Sequence, residues 1–154
     1  MALNLNDLKI IPRKGLYVYM PNAPQPHNCI VADGQTLTAG DIVTLDSTST
    51  NPNCPVVKKA AVTDSIYGVI PYDAYKNSYG AKEKVMAAVE GSTIYLAANE
   101  KTNPGADLYF TAEGYVTATV TAGNSIVGTA NTAAAAKDDL IQVKLKFAKT
   151  QAAG

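Results

Sequence analysis

Tryptophan is absent from this chain, and histidine occurs once, as His27. Without an indole, the side chain with the largest flat face is missing, so a sugar-stacking platform has weak support in the composition. A single histidine restricts catalytic devices of the Ser-His-Asp or Cys-His kind to His27, which lies in the proline-rich stretch PQPHNC. Cys29 follows two residues later, and on an extended strand residues i and i+2 point to the same side. A Cys29–His27 nucleophile and base is therefore conceivable. The plainer reading makes His27 a surface residue and Cys29 a buried strand residue. Two cysteines and one histidine fall short of the four ligands of a zinc site. No metal or other cofactor is expected, and neither GxGxxG nor a P-loop occurs.

Surplus charge is also missing: 13 Lys+Arg balance 13 Asp+Glu. Phosphate binding needs a basic excess, at least locally, and the basic residues are scattered (Lys9, Arg13, Lys14, Lys58, Lys59, Lys144, Lys146, Lys149). Direct nucleic-acid binding is not expected. No apolar run approaches the ~20 residues that span a bilayer, so no membrane partner is expected. The opening MALNLNDLKIIPRKG lacks a basic segment followed by an apolar one. Synthesis and retention in cytosol are expected, where thiols stay reduced, and a Cys29–Cys54 bridge stays open. Asp138-Asp139 could hold a cation or work as acid and base; a solvated turn is the plainer reading.

What is present is a succession of short β-prone segments separated by turn formers. They are LYVYM (16–20), CIVA (29–32), IVTL (42–45), VVKKAAV (56–62), SIYGVI (65–70), KVMAAVE (84–90), TIYLAA (93–98), DLYFT (107–111), YVTATV (115–120), SIVGTA (125–130) and LIQVKLKF (140–147). In the last, Ile141, Val143, Leu145 and Phe147 share one face and Gln142, Lys144 and Lys146 the other, the period of a half-buried strand. YVTATV alternates likewise, with Val116, Ala118 and Val120 opposing Tyr115, Thr117 and Thr119. Many short strands at this spacing predict an all-β fold, a compact barrel or sandwich. Two stretches have helical composition: Lys82–Val89, and the alanine-rich 131–139, read as a turn or one helical turn. Residues 1–15 are read as an apolar, non-periodic arm, in which Pro12 would end any helix before it. It either docks on something else or packs across its own domain. Residues 16–154 form a single β domain.

The segments come in two ordered sets. AGDIVTL, VVKKAAV, SIYGVI and AKEKVMAAV are followed by PGADLYF, YVTATV, SIVGTA and AKDDLIQVKL. The order is Gly turn and strand, strand, Ser-Ile-x-Gly strand, then Ala-Lys and a last strand. An internal repeat over about 39–90 and 104–147 would let two similar units bury their apolar faces together. Gly40 and Gly105 are expected to supply a positive φ for the turn into a strand. Gly68 and Gly128 fall inside strands, which points to a bulge or a close crossing.

Nine tyrosines are present, and Tyr72, Tyr75 and Tyr79 cluster in PYDAYKNSYG, a pattern commoner at a subunit contact or core edge than in a ligand box. The pieces AGDIVTL, SIYGVIPYDA, EGSTIYLAANEKTNPGADLYFTAEGYVTA and SIVGTANTAAAAKDDLIQVKL together resemble the small cement, or head decoration, proteins of tailed-phage capsids. The resemblance covers about residues 39–145. It implies a non-enzymatic virion protein on the capsid exterior, assembled in host cytoplasm. The implied partner is the major capsid protein of an expanded shell, bound by a homotrimer that stiffens the shell. Rival readings are a head-fibre or host/carbohydrate-binding β module, and a hydrolase using Cys29 and His27. The arm residues Leu3, Leu5, Leu8, Ile10 and Ile11 are the expected capsid contacts. Removal of residues 2–11 is therefore expected to abolish co-sedimentation with bare phage heads; undiminished binding would dismiss the arm as the contact.

Overall fold

A computed structural model describes residues 11–149, and all the regular structure among them is β. In chain order the strands are β1 (Tyr17–Val18), β2 (His27–Val31), β3 (Leu37–Thr38), β4 (Ile42–Leu45), β5 (Val56–Lys59), β6 (Gly68–Val69) and β7 (Ser78–Tyr79). Then come β8 (Lys84–Ala87), β9 (Thr93–Ala97), β10 (Asp107–Phe110), β11 (Val116–Thr117), β12 (Ser125–Ala130) and β13 (Leu140–Lys149). Residues 1–10 of the predicted arm, with Leu3, Leu5, Leu8 and Ile10, lie outside the described residues.

The strands build two small rings. The first sheet runs β6-β4-β5-β2-β8. An antiparallel bridge between Val69 and Ala88 joins its two ends, each amide donating to the other's carbonyl at 2.9 and 2.8 Å. The second sheet contains β9-β13-β12-β10-β11, with β1 added outside β9. A parallel bridge between Ala98 and Val116 closes it, and the Asn99 amide donates to the Val116 carbonyl at 2.8 Å. Numbered by chain order within each ring, both sets of five strands run 1-5-4-2-3 and back to 1. The only parallel contact in each is between strands 3 and 1, β5 with β2 and β11 with the end of β9.

The four matched phrases occupy equal positions in the two rings, as strands 2, 3, 4 and 5. Strand 1 of each ring, β2 or β9, lies ahead of the 39–90 and 104–147 spans. Local bonding repeats as well. The Gly40 amide donates to the Ile70 carbonyl and the Gly105 amide to the Ala130 carbonyl, both at 2.7 Å. In return the Ile70 amide donates to Asp41 and the Ala130 amide to Ala106, at 2.9 and 3.0 Å. Gly40 and Gly105 have φ of 84° and 86°, the left-handed region in which a Cβ is strained.

Two buried clusters fill the body. Cys29, Val31, Val43, Val57, Ile70, Val85 and Ala87 pack inside the first ring together with Leu37 and Tyr79, which the β3–β7 pair brings in. The second ring holds Ile94, Leu96, Leu108, Phe110, Val116, Val127, Ile141, Val143 and Leu145, and Ile42, Val69 and Ala88 of the first ring belong to the same cluster. A fully buried side chain of this kind contributes about 1.5–3 kcal/mol, against roughly 1 kcal/mol net for one hydrogen bond. The packed interiors therefore hold the rings closed, and the single bridges set their register.

Two expectations need correction, and one of two alternatives is settled. Lys82–Val89 is not helical: Lys82 turns with φ of 66°, and Lys84–Ala87 pairs with β2, its side chains alternating out and in. Residues 131–139 are a turn, as one of the two readings had it, formed of bends and turns with the Asp139 carboxylate accepting the Ala135 and Ala136 amides at 2.8 and 3.1 Å. YVTATV is strand only at Val116–Thr117, because the Thr117 hydroxyl accepts the Thr119 amide at 3.1 Å and turns the chain out of the sheet. Val120 is consequently 67% exposed.

Strand 4 meets strand 5 unusually closely in both rings. A Cβ on Gly68 would stand 2.6 Å from the Ala88 carbonyl oxygen, and one on Gly128 2.1 Å from that of Lys144. The β12–β13 register also shifts between Ile126 and Gly128, a bulge at the same place. Both obstacles are backbone and cannot swing aside. Gly128→Ala is expected to destabilise the protein by about 2 kcal/mol or more in urea unfolding. Gly80→Ala, whose new Cβ would meet only the Glu83 side chain at 3.8 Å, is expected to stay within about 0.5 kcal/mol of wild type.

Candidate functional site

The most conspicuous surface feature is a groove of about 360 Å³ on the side where the chain enters the body. Tyr17 reaches it from β1 and Tyr19 from the segment just after β1, Pro26 from the proline-rich loop, Pro71 to Tyr75 from the segment after β6, and Tyr79 and Met86 from β7 and β8. The tyrosines thus come from two parts of the chain more than fifty residues apart.

Each wall is fixed by local chemistry. The Tyr17 hydroxyl donates to the Pro24 carbonyl at 2.7 Å, and its ring centroid lies 4.9 Å from that of Tyr19. The Asp73 carboxylate accepts the Tyr75 amide at 2.8 Å, a side-chain turn that projects Tyr75 outward. The Arg13 guanidinium sits 5.5 Å from the Tyr72 ring centroid, and the Tyr72 amide donates to the Gly15 carbonyl at 2.7 Å. Lys76 lies 5.1 Å from the Tyr79 ring centroid and pairs with Glu83 at 2.7 Å. That hydrogen bond from Lys76 is the main reason the Glu83 carboxyl titrates below its ordinary range. Burial pushes the Tyr79 hydroxyl up.

The residues differ sharply in exposure. Tyr79 is buried, whereas Tyr75 is 99% and Tyr19 87% exposed, with Met20 and Met86 also exposed. Side chains this exposed add little to the buried core, and exposed aromatic and methionine side chains gathered together are of the kind from which contact surfaces are built. Of the predicted capsid contacts, only Ile11 is among the described residues. It is exposed, two residues before the arginine that covers Tyr72. Sequence reading singled out Tyr72, Tyr75 and Tyr79. It missed Tyr19 and Met86 as their neighbours, because the pairing of β1 with β9 and of β8 with β2 has no local signal.

The other candidates separate. Cys29 is completely buried and its thiol donates to the His27 carbonyl at 3.6 Å, while the His27 ring turns to the Tyr67 hydroxyl, 3.0 Å from Nδ1. Burial pushes the Cys29 thiol up to about 11, away from the thiolate a nucleophile needs. Asp138 accepts the Tyr115 hydroxyl at 2.7 Å and Asp139 caps its own loop. Among the described residues no three His, Cys, Asp or Glu side chains gather to hold a metal ion, and no helix is long and apolar enough to cross a membrane. No family model and no curated protein matches the chain.

Tyr19→Ser and Tyr75→Ser are expected to leave thermal stability within about 0.5 kcal/mol of wild type. Tyr79→Ala is expected to cost about 3 kcal/mol, as a buried aromatic does. Denaturant unfolding of the three variants checks both.

Proposed function

We propose that this chain is a capsid decoration, or cement, protein that binds the outer surface of an expanded phage head and stabilises the shell without catalysing a reaction. The observation that carries the proposal is the exposed set Tyr19, Met20, Tyr75 and Met86 on a rigid double-ring body, beside the place where the arm joins it. Aromatic side chains bury large area at low entropic cost, and flexible methionines adapt to irregular partner surfaces, as interface centres use them. The resemblance over about 39–145 supports the same reading. Its partner is the major capsid protein, its place the virion exterior and its working form a homotrimer. Three copies docking together gain avidity from modest single contacts. Extended arm residues would add strands to exposed shell edges.

A second reading, a head-fibre or carbohydrate-binding module, is favoured by one observation: five tyrosines line a single groove. Ring faces of this kind can stack on sugars even without tryptophan.

Co-sedimentation with bare expanded heads tests the first reading. Wild type is expected to bind at saturable stoichiometry, and the Tyr19→Ser/Tyr75→Ser double variant to bind at least about tenfold more weakly, the effect of losing one interface anchor. Wild type that remains in the supernatant at every concentration, while binding a glycan array through the same tyrosines, would replace cement with the carbohydrate module.

A further inference from the structure

Most of the described aspartates are tied into their own turns. The Asp41 carboxylate accepts the Thr38 amide at 2.8 Å, Asp46 the Thr48 amide at 2.9 Å, Asp64 the Ala61 amide at 2.8 Å and Asp73 the Tyr75 amide at 2.8 Å. Asp138 holds the Tyr115 hydroxyl and Asp139 the Ala135 amide. Asp107 lies in β10, where the next residue, Leu108, is completely buried. Asp33 is the exception. Its side chain is 80% exposed, and among the described residues it meets only the Lys82 ammonium, at 3.9 Å, too far for a hydrogen bond.

The residue that follows is as open. Asp33 and Gly34 are the centre of the turn between β2 and β3, closed by the Gln35 amide donating to the Ala32 carbonyl at 3.2 Å. Gly34 is exposed and has φ of 75°, and a Cβ there would meet nothing within 4 Å. Among the described residues no group accepts the Gly34 amide. An unattached carboxyl is thus followed by an amide nitrogen with no hydrogen bond, no side chain beside it and no neighbour screening it. No other Asp-Gly and no Asn-Gly pair occurs in the chain. Both flanks of the turn are pinned, the Ala32 amide donating to the Val57 carbonyl at 2.9 Å and the Lys59 amide to the Gln35 side-chain carbonyl at 3.2 Å. Rearrangement is therefore confined to the two central residues.

We propose that Asp33–Gly34 is a self-modification site at which the folded chain converts Asp33 to isoaspartate, and that the new surface carboxylate is a substrate for a methyltransferase that uses S-adenosylmethionine. The Gly34 nitrogen attacks Cγ of Asp33. An N–Cγ bond forms, the carboxyl hydroxyl leaves as water with the amide proton, and a five-membered succinimide results. Water then opens the ring. Attack at Cγ restores aspartate. Attack at the main-chain carbonyl carbon breaks its bond to the Gly34 nitrogen, so the chain runs on through Cβ and Cγ and the main-chain carbonyl becomes a free carboxylate. One water leaves and one returns, and nothing is oxidised or reduced. A methyltransferase would move the sulfonium methyl to that carboxylate, leaving a thioether and a methyl ester.

The test holds the folded full chain for weeks at neutral pH and body temperature. Samples are probed with an isoaspartyl methyltransferase and labelled S-adenosylmethionine, and with peptide maps that distinguish the two linkages. Methyl acceptance is expected to rise steadily from none. The maps are expected to place isoaspartate at position 33 alone, beside a minor species lighter by one water. Asp33→Glu is expected to lose methyl acceptance entirely, because the longer side chain would have to close a six-membered ring, and to unfold at the same urea concentration as wild type. The wild-type maps decide the matter even if the variant fails to fold. A folded chain that gains no methyl acceptance, whatever the urea-unfolded chain does, would show that the turn protects the pair and would overturn the proposal. Isoaspartate appearing first at another aspartate, or undiminished methyl acceptance in Asp33→Glu, would overturn it too.

Discussion

A sheet of only five short strands closes into a ring when some neighbours approach more nearly than side chains permit. In both rings that approach occurs between strands 4 and 5, at Gly68 and Gly128, where even a methyl group would collide with a backbone carbonyl. With strand 4 drawn in, its outer end can exchange hydrogen bonds with the turn before strand 2, at Gly40 and Gly105. Strand 3 is then carried round to meet strand 1. Closure also removes sheet edges that would otherwise recruit other chains. The remaining pieces, β1 outside β9 and the β3–β7 pair, are additions to rings already closed.

The rings are unequal partners. The interior of the first is a cluster of its own, and Cys29, Leu37 and Tyr79 belong to it. The outer side of the same ring, through Ile42, Val69 and Ala88, joins the cluster of the second. Alternation on the first ring's strands therefore serves two apolar surroundings, and β4 is buried on both faces over Ile42–Thr44. Polar contacts follow the same seam: Gly91 donates to the Leu145 carbonyl and Ser125 to the Val62 carbonyl, both at 2.8 Å. At the parallel closure of the second ring, Glu100 accepts the hydroxyls of Thr117 and Thr119. The Thr117 bond is the first cause of its lowered pKa, so this brace is present above the ordinary glutamate range and fades as acid protonates it.

Much of this was legible where packing and local pattern agree. IVTL and SIVGTA are strands over the expected residues, and Ile141, Val143 and Leu145 point inward as their period of two requires. The glycines in the two Ser-Ile-x-Gly phrases signalled a close crossing, and the crossing is there. What escaped reading has a physical cause in each case. β3 and β7 are two residues long and exist only because Leu37 and Tyr79 cover the first ring. Lys84–Ala87 has helix-friendly composition, yet pairing with β2 outweighs that propensity. The groove draws Tyr17 and Tyr19 to Tyr72 and Tyr75 through ring closure, a long-range event without a local motif.

Gly15 stands where the arm becomes body. Its amide donates to Tyr95 on β9 and its carbonyl accepts from Tyr72, both at 2.7 Å, and its α-carbon leaves no room for a side chain against Gly40. Mechanically it is a rivet through both rings. A pull arriving along the arm is divided at that residue between a central strand of one ring and the loop beyond strand 4 of the other. The body would resist such tension as a block instead of unravelling strand by strand from its first residue.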